Sequence, residues 1–247
     1  MTNEGRRMSV AWLWLAPLLL VVLVALVQWL PLITLAENGH YAAENNGRPY
    51  TALELLGYGI YLREGCSHCH SQSIRALERD VMRYGHYSTA IESQFDHPTQ
   101  WGGRRYGPDL ARIGGQYPDS WHRRHLAMPR SLVPDSPMPR YGRLADQRLG
   151  YADLPGRLRA LRRLGIPYSL TSLERGRNRQ RFGETLAGYY HIHQAQAALL
   201  EQAQQRDFDG NPERLTEMDA LIAYLQTLGD RSQAVREQRL PGIAAGH

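Results

Sequence analysis

The sequence predicts an all-α fold with long loops, tethered by one N-terminal transmembrane helix. Three observations predict it. Two amphipathic, capped helical patterns bracket the chain beyond residue 50, no run of alternating apolar and polar residues marks a strand, and residues 8–36 carry no charge. The 247 residues suffice for one ordinary domain plus an appendage. With 43% hydrophobic and 21% charged residues the bulk is globular, and disorder throughout is excluded. A mean hydropathy of −0.48 excludes a polytopic membrane protein.

The first element is the uncharged run. Residues 10–35 are nearly all apolar, and a helix crossing a ~30 Å hydrocarbon core needs about 20 such residues. Trp12, Trp14 and Trp29 lie near its ends, where indole rings settle at headgroups, and Pro17 removes one helix hydrogen bond. Arg6 and Arg7 precede it and Glu37 follows. The positive-inside rule then puts residues 1–9 in the cytoplasm and residues 36–247 outside. A cleaved signal peptide is the competing reading, but its apolar core is typically ~7–15 residues. Either way the globular part is exported.

The second element is a helix opened by Thr51-Ala52-Leu53-Glu54, which has capping-box spacing. Leu55, Tyr58 and Leu62 follow on one face. It runs into Cys66-Ser67-His68-Cys69-His70, whose two cysteines are all the chain has. In an exported protein this C-x-x-C-H pattern reads as a site for one covalently bound haem c. Thiols three residues apart can reach two vinyl groups on one porphyrin edge, and His70 can reach the iron. A thioredoxin-type pair would want a βαβ context, zinc would want about four ligands, and a plain disulfide is the third competitor.

An electron-transfer haem needs a second axial ligand, and a Met thioether raises its potential. Met138 stands in Val133-Pro134-Asp135-Ser136-Pro137-Met138-Pro139, a loop that prolines stiffen. Met128 follows a helical stretch around Trp121-His122, Met218 falls on an apolar stripe, and Met82 lies among charges. His68, His86 and His97 are the alternatives. Pro108, in Gly107-Pro108-Asp109-Leu110, offers a carbonyl to the second nitrogen of His70. The last helix begins with Thr216 as cap, carries Met218, Leu221, Ile222, Leu225 and Leu228 as a stripe, and stops at Gly229.

These parts together resemble a class I cytochrome c. A closer resemblance rests on Ile60-Tyr61-Leu62-Arg63-Glu64-Gly65, Ser71-Gln72-Ser73-Ile74-Arg75, Arg83-Tyr84-Gly85-His86-Tyr87-Ser88, Asp96-His97-Pro98, Trp101-Gly102, Gly107 to Arg112, Trp121-His122-Arg123, Asn211-Pro212 and Thr216 to Leu221. In these the chain resembles the mono-haem membrane subunit (subunit II) of cbb3-type cytochrome c oxidases. Ala76 departs from the family's usual proline, and residues 169–206 match nothing in it; their composition suggests a solvated helix.

The resemblance implies a bacterial inner-membrane subunit with a periplasmic haem domain over residues 36–229, carrying insertions at 71–106 and 169–206, and a flexible tail at 230–247. It implies His70 and Met138 as axial ligands. Electrons would come from a di-haem cytochrome c subunit or a soluble cytochrome c. They would pass to haem b of the catalytic haem–copper subunit, where oxygen is reduced; this chain would hold no oxygen chemistry itself. Arg75, Arg79, Arg83, Arg104 and Arg105 of the first insertion are candidates for the haem propionates. A free-standing, membrane-anchored cytochrome c shuttle is the alternative. Nucleic acid, suggested by a net charge of +5, fails on the exported topology.

Overall fold

A computed structural model describes residues 10–37, 47–100, 105–211 and 214–229, with side chains from 14 to 30 in the first of these stretches. The termini at 1–9 and 230–247, with Trp101, Gly102, Arg104 and Pro212, lie outside the described residues. The chain divides into two compact units, Met1–Asn45 and Asn46–His247.

In the first unit one helix, α1 (Val10–Glu37), forms over the apolar run. The sequence predicts a membrane-spanning tether there, and this expectation is corrected. Among the described residues no helix is long and apolar enough to cross a membrane. Within residues 14–30 the large apolar side chains, Trp14, Leu19 and Trp29 among them, are exposed.

The second unit is helical, with isolated β-bridges but no named strand among its described residues. Its helices are α2 (Ala52–Arg63), α3 (Glu78–Tyr84), α4 (Asp119–Ala127), α5 (Leu154–Arg163), α6 (Ser172–Phe182), α7 (Glu184–Tyr189), α8 (Ala195–Gln205) and α9 (Glu217–Thr227). The caps follow from the sequence. Thr51 accepts from the Glu54 N–H while the Glu54 carboxylate takes the Thr51 N–H at 2.8 Å. Thr216 and Asp219 close the same box at α9, and Gly229 follows it with φ 88°.

The core is the crossing of α2 and α9. Leu53, Leu56, Ile60 and Tyr61 of α2 are buried, and so are Met218, Leu221, Ile222 and Tyr224 of α9. Gly57 sits at the crossing point: a Cβ there would stand 1.8 Å from the Ala220 carbonyl oxygen and 2.8 Å from Tyr224 Cβ. Only a residue without a side chain lets the two backbones approach so closely. Tyr224 also packs against Tyr50, Tyr58 and Tyr61, with ring centroids 5.2–5.6 Å away.

Residues 169–206 are not a solvated helix. They form α6, α7 and α8, and only the exposed α6 fits that reading. Tyr190, Ile192, Ala195 and Leu199 are fully buried in the main core. Tyr190 donates to the Pro49 carbonyl at 3.0 Å, and Thr51 donates to Gln202 Oε1 at 2.8 Å. The segment therefore buttresses the entry to α2.

Candidate functional site

The site begins where α2 ends. Gly65, at φ 72°, turns the chain out of the helix into a tight turn over Cys66–His68. The His70 N–H then donates to the Cys66 carbonyl at 2.9 Å, so both thiols and the imidazole come off one compact loop. Neither cysteine is in a disulfide; Cys66 is half-buried and Cys69 exposed. Burial first, and the charge of Glu64 second, push the Cys66 thiol up to about 12, so it stays protonated near neutrality. Among the described residues no third His, Cys, Asp or Glu ligand atom converges with the thiols of Cys66 and Cys69.

His70 Nδ1 lies 2.8 Å from the Pro108 carbonyl oxygen. A carbonyl can only accept, so Nδ1 carries the proton and Nε2 keeps its lone pair for a metal. The ring is seated against Gly107, where a Cβ would come within 2.3 Å of His70 Cε1. Two backbone hydrogen bonds lock the segments together: Gly107 N–H to Cys69 O at 3.0 Å and Leu110 N–H to Ser71 O at 2.8 Å. Buried Asp109 fixes the corner. Its carboxylate accepts from Ser71 Oγ at 2.6 Å, Ser73 N at 3.1 Å, Ala111 N at 2.8 Å and Arg105 Nη2 at 3.2 Å.

Met138 is half-buried and packs against the main core, as do Cys66, Leu110, Ile113 and Tyr141. Its loop is held at both ends. Arg130 Nε donates to the Ser136 carbonyl at 3.1 Å, and the Tyr141 N–H donates to Leu126 O at 2.8 Å. The competing methionines are placed differently. Met218 is fully buried inside the helix crossing, whereas Met82 and Met128 are exposed. Of the alternative histidines, His68 is tied back to the Gly65 carbonyl at 3.0 Å and His86 to that of Tyr87 at 2.8 Å.

Helix α4 contributes residues that the sequence reading left unassigned. Tyr117, Trp121 and His125 stack in a column, with centroids 4.0 and 4.6 Å apart and rings within 15° of parallel. His125 Nδ1 and His122 Nε2 are buried with no hydrogen-bond partner among the described residues. Burial, and then the neighbouring His70, hold the His125 imidazole below its ordinary value. Gly107 likewise showed only as part of a turn; its seat against the imidazole needs the three-dimensional register.

The residues fit a haem. Two unlinked thiols, a His70 ring with Nδ1 turned to the Pro108 carbonyl and a half-buried Met138 thioether are chemically suited to hold a haem. Two arginines of the first insertion, Arg75 and Arg105, are engaged within the protein. They meet Asp80 at 2.7 Å each.

A search among curated proteins finds no match. A family model described as cytochrome c oxidase, mono-heme subunit/FixO, matches residues 6–232, which is most of the chain. The chain belongs to that family, the mono-haem subunits of cytochrome c oxidase.

Proposed function

We propose that this subunit holds one haem c, which Cys66 and Cys69 would attach covalently and whose iron His70 and Met138 would ligate. When bound, the haem would supply one-electron redox chemistry. The chain's own residues hold it still. Pro108 fixes the His70 tautomer, Gly107 seats its ring, Asp109 braces the corner, and the prolines around Met138 limit its excursions. A stiff ligand pair lowers the reorganisation that accompanies each electron.

Within a cbb3-type oxidase the chain would take electrons from a di-haem cytochrome c subunit or a soluble cytochrome c. It would deliver them to haem b of the catalytic haem–copper subunit. The haem domain would work on the periplasmic side of the bacterial inner membrane, where c-type haem is attached. The observation that carries this reading is the His70–Pro108 hydrogen bond beside two unlinked thiols.

The test is purification through a tag on this chain, followed by a denaturing gel stained for haem peroxidase. Stain at the mass of the chain, lost in Cys66→Ala/Cys69→Ala, supports covalent haem. Co-purification of a polytopic protein with haem b and copper supports the oxidase assignment. Met138→Ala should keep the stain and lose the thioether-to-iron charge-transfer band; retention of that band refutes Met138 as ligand.

A further inference from the structure

Behind the Pro108 carbonyl lies a second feature, distinct from the haem ligands. A cavity of about 460 Å³ is lined by Arg75, Arg79, Arg83 and Arg105, with Asp80 as the carboxylate in its wall. Gly107 and Pro108 close it on the side of His70. Four arginines thus line it, with Asp80 in the wall and Asp109 reached by Arg105 as their carboxylates.

The acid is fully committed. Asp80 is buried, and Arg75 and Arg105 hold its carboxyl well below the usual carboxylate range. Arg105 is further locked to Ser71 Oγ at 2.8 Å, the Ser73 carbonyl at 3.0 Å and Asp109. Arg79 reaches Asp80 only at 3.7 Å from an exposed position. Arg83 has no carboxylate partner among the described residues. Its guanidinium stands 5.2 Å from the centroid of the Tyr84 ring, and so does that of Arg105. One aromatic ring of the cavity lining therefore stands near two cations.

Like charges gathered this way repel one another unless an anion joins them. Guanidinium forks match the oxygens of a phosphate group. We propose that this cavity is a binding site for a phosphate-type oxyanion, with Arg83 and Arg79 as its unsatisfied donors. The ligand is a free phosphate or the headgroup phosphate of an anionic lipid. Negative charge placed behind Pro108 would favour the more positive, oxidised iron, and so lower the haem potential; this last step rests on the ligation proposed above.

The experiment uses the full haem-loaded chain and two probes. Inorganic phosphate is titrated calorimetrically into wild type, Arg83→Gln and a distant exposed control, Arg159→Gln. In parallel, the three proteins are co-sedimented with phosphatidylglycerol vesicles and with phosphatidylcholine vesicles. Loss of one charge-assisted hydrogen bond should weaken binding in Arg83→Gln by about tenfold or more, with Arg159→Gln unchanged. Arg83-dependent binding of phosphate itself identifies a free-ion site. Arg83-dependent sedimentation with phosphatidylglycerol alone identifies a headgroup site. Equal behaviour of the three proteins, or binding of neither probe, overturns the proposal. Bound anion should also move the haem midpoint potential downward in wild type and not in Arg83→Gln; binding without that movement refutes the link to His70. A chain without haem would defeat the ligation reading while leaving the phosphate isotherm to decide the cavity.

Discussion

Replacing Gly57 by Ala tests the helix crossing on which the second unit is built. The added methyl carbon would lie 1.8 Å from the Ala220 oxygen, 2.5 Å from its carbonyl carbon and 2.8 Å from Tyr224 Cβ. Two of these three neighbours are backbone, so no side chain can swing away. The helices must separate by more than 1 Å, on the order of a methyl radius, which opens the tyrosine cluster around Tyr224. Overpacking of this kind costs typically 1–3 kcal/mol, and backbone neighbours put it at or above the upper end. Against it stands a gain of about 1 kcal/mol from the better helix propensity of Ala. The expected net loss is roughly 2 kcal/mol or more. At an m-value of about 2 kcal/mol/M the urea midpoint should fall by about 1 M.

Gly59→Ala on the same helix is the control. A Cβ there meets only the flexible Arg157 Nη1, at 3.7 Å. It should be neutral or stabilise by up to about 1 kcal/mol. Equal midpoints for the two variants, or a Gly57→Ala protein as stable as wild type, would refute the close crossing.

Three further outcomes are expected. Thr216→Ala removes a fully buried hydroxyl that donates to Asp209 Oδ2 at 2.7 Å and accepts from the Asp219 N–H; denaturation should show a loss of about 2 kcal/mol. His122 is buried, and that burial lowers its imidazole to about 4. The unfolded chain then binds the extra proton first, so stability is complete above about 6.5 and falls as pH drops through 4. The loss should approach 3 kcal/mol, and His122→Leu should flatten that part of the profile; a slope unchanged in the variant would place the titration elsewhere. Gly107→Ala drives a methyl to within 2.3 Å of His70. The haem-loaded variant should show an altered low-spin spectrum, and a spectrum identical to wild type would contradict the seat.

Both ends of the second unit were legible because their signals are local. Capping boxes at Thr51 and Thr216 and the stripe from Met218 to Leu228 require only neighbours in sequence, and each forms. The C-x-x-C-H turn is legible for the same reason. Residues 169–206 misled because their buried members, Tyr190, Ile192, Ala195 and Leu199 among them, are scattered among Arg and Gln, and tyrosine hydroxyls bond to distant partners such as Pro49. The apolar run at 10–35 forms a helix as its composition demands, but composition alone overreached in making it a membrane crossing. Asp109 and Gly107 act through contacts with Ser71 and His70, across tens of residues, which no periodicity encodes.

The same long-range contacts explain why the site and the fold stand or fall together. Cys66 and His70 follow directly from the end of α2. The segment bearing Pro108 is tied to the end of α9, where the Gly114 N–H meets Leu228 O at 2.9 Å and the Gly115 N–H meets Gln226 Oε1 at 2.8 Å. Gln226 also donates to Asp119 Oδ1 at 2.6 Å and to the Tyr117 carbonyl at 2.9 Å, which sets the start of α4. The Tyr141 bond to Leu126 at the far end of α4 then places the Met138 loop. Each proposed ligand is thus referenced to one of the two crossing helices. Any change that slides α2 on α9 moves His70 against the Met138 loop. Gly57→Ala should therefore disturb the axial ligand spectrum at denaturant concentrations where α-helical signal is still intact. A ligand spectrum that Gly57→Ala leaves as in wild type while the helical crossing is weakened would mean that the site is held by local loops alone.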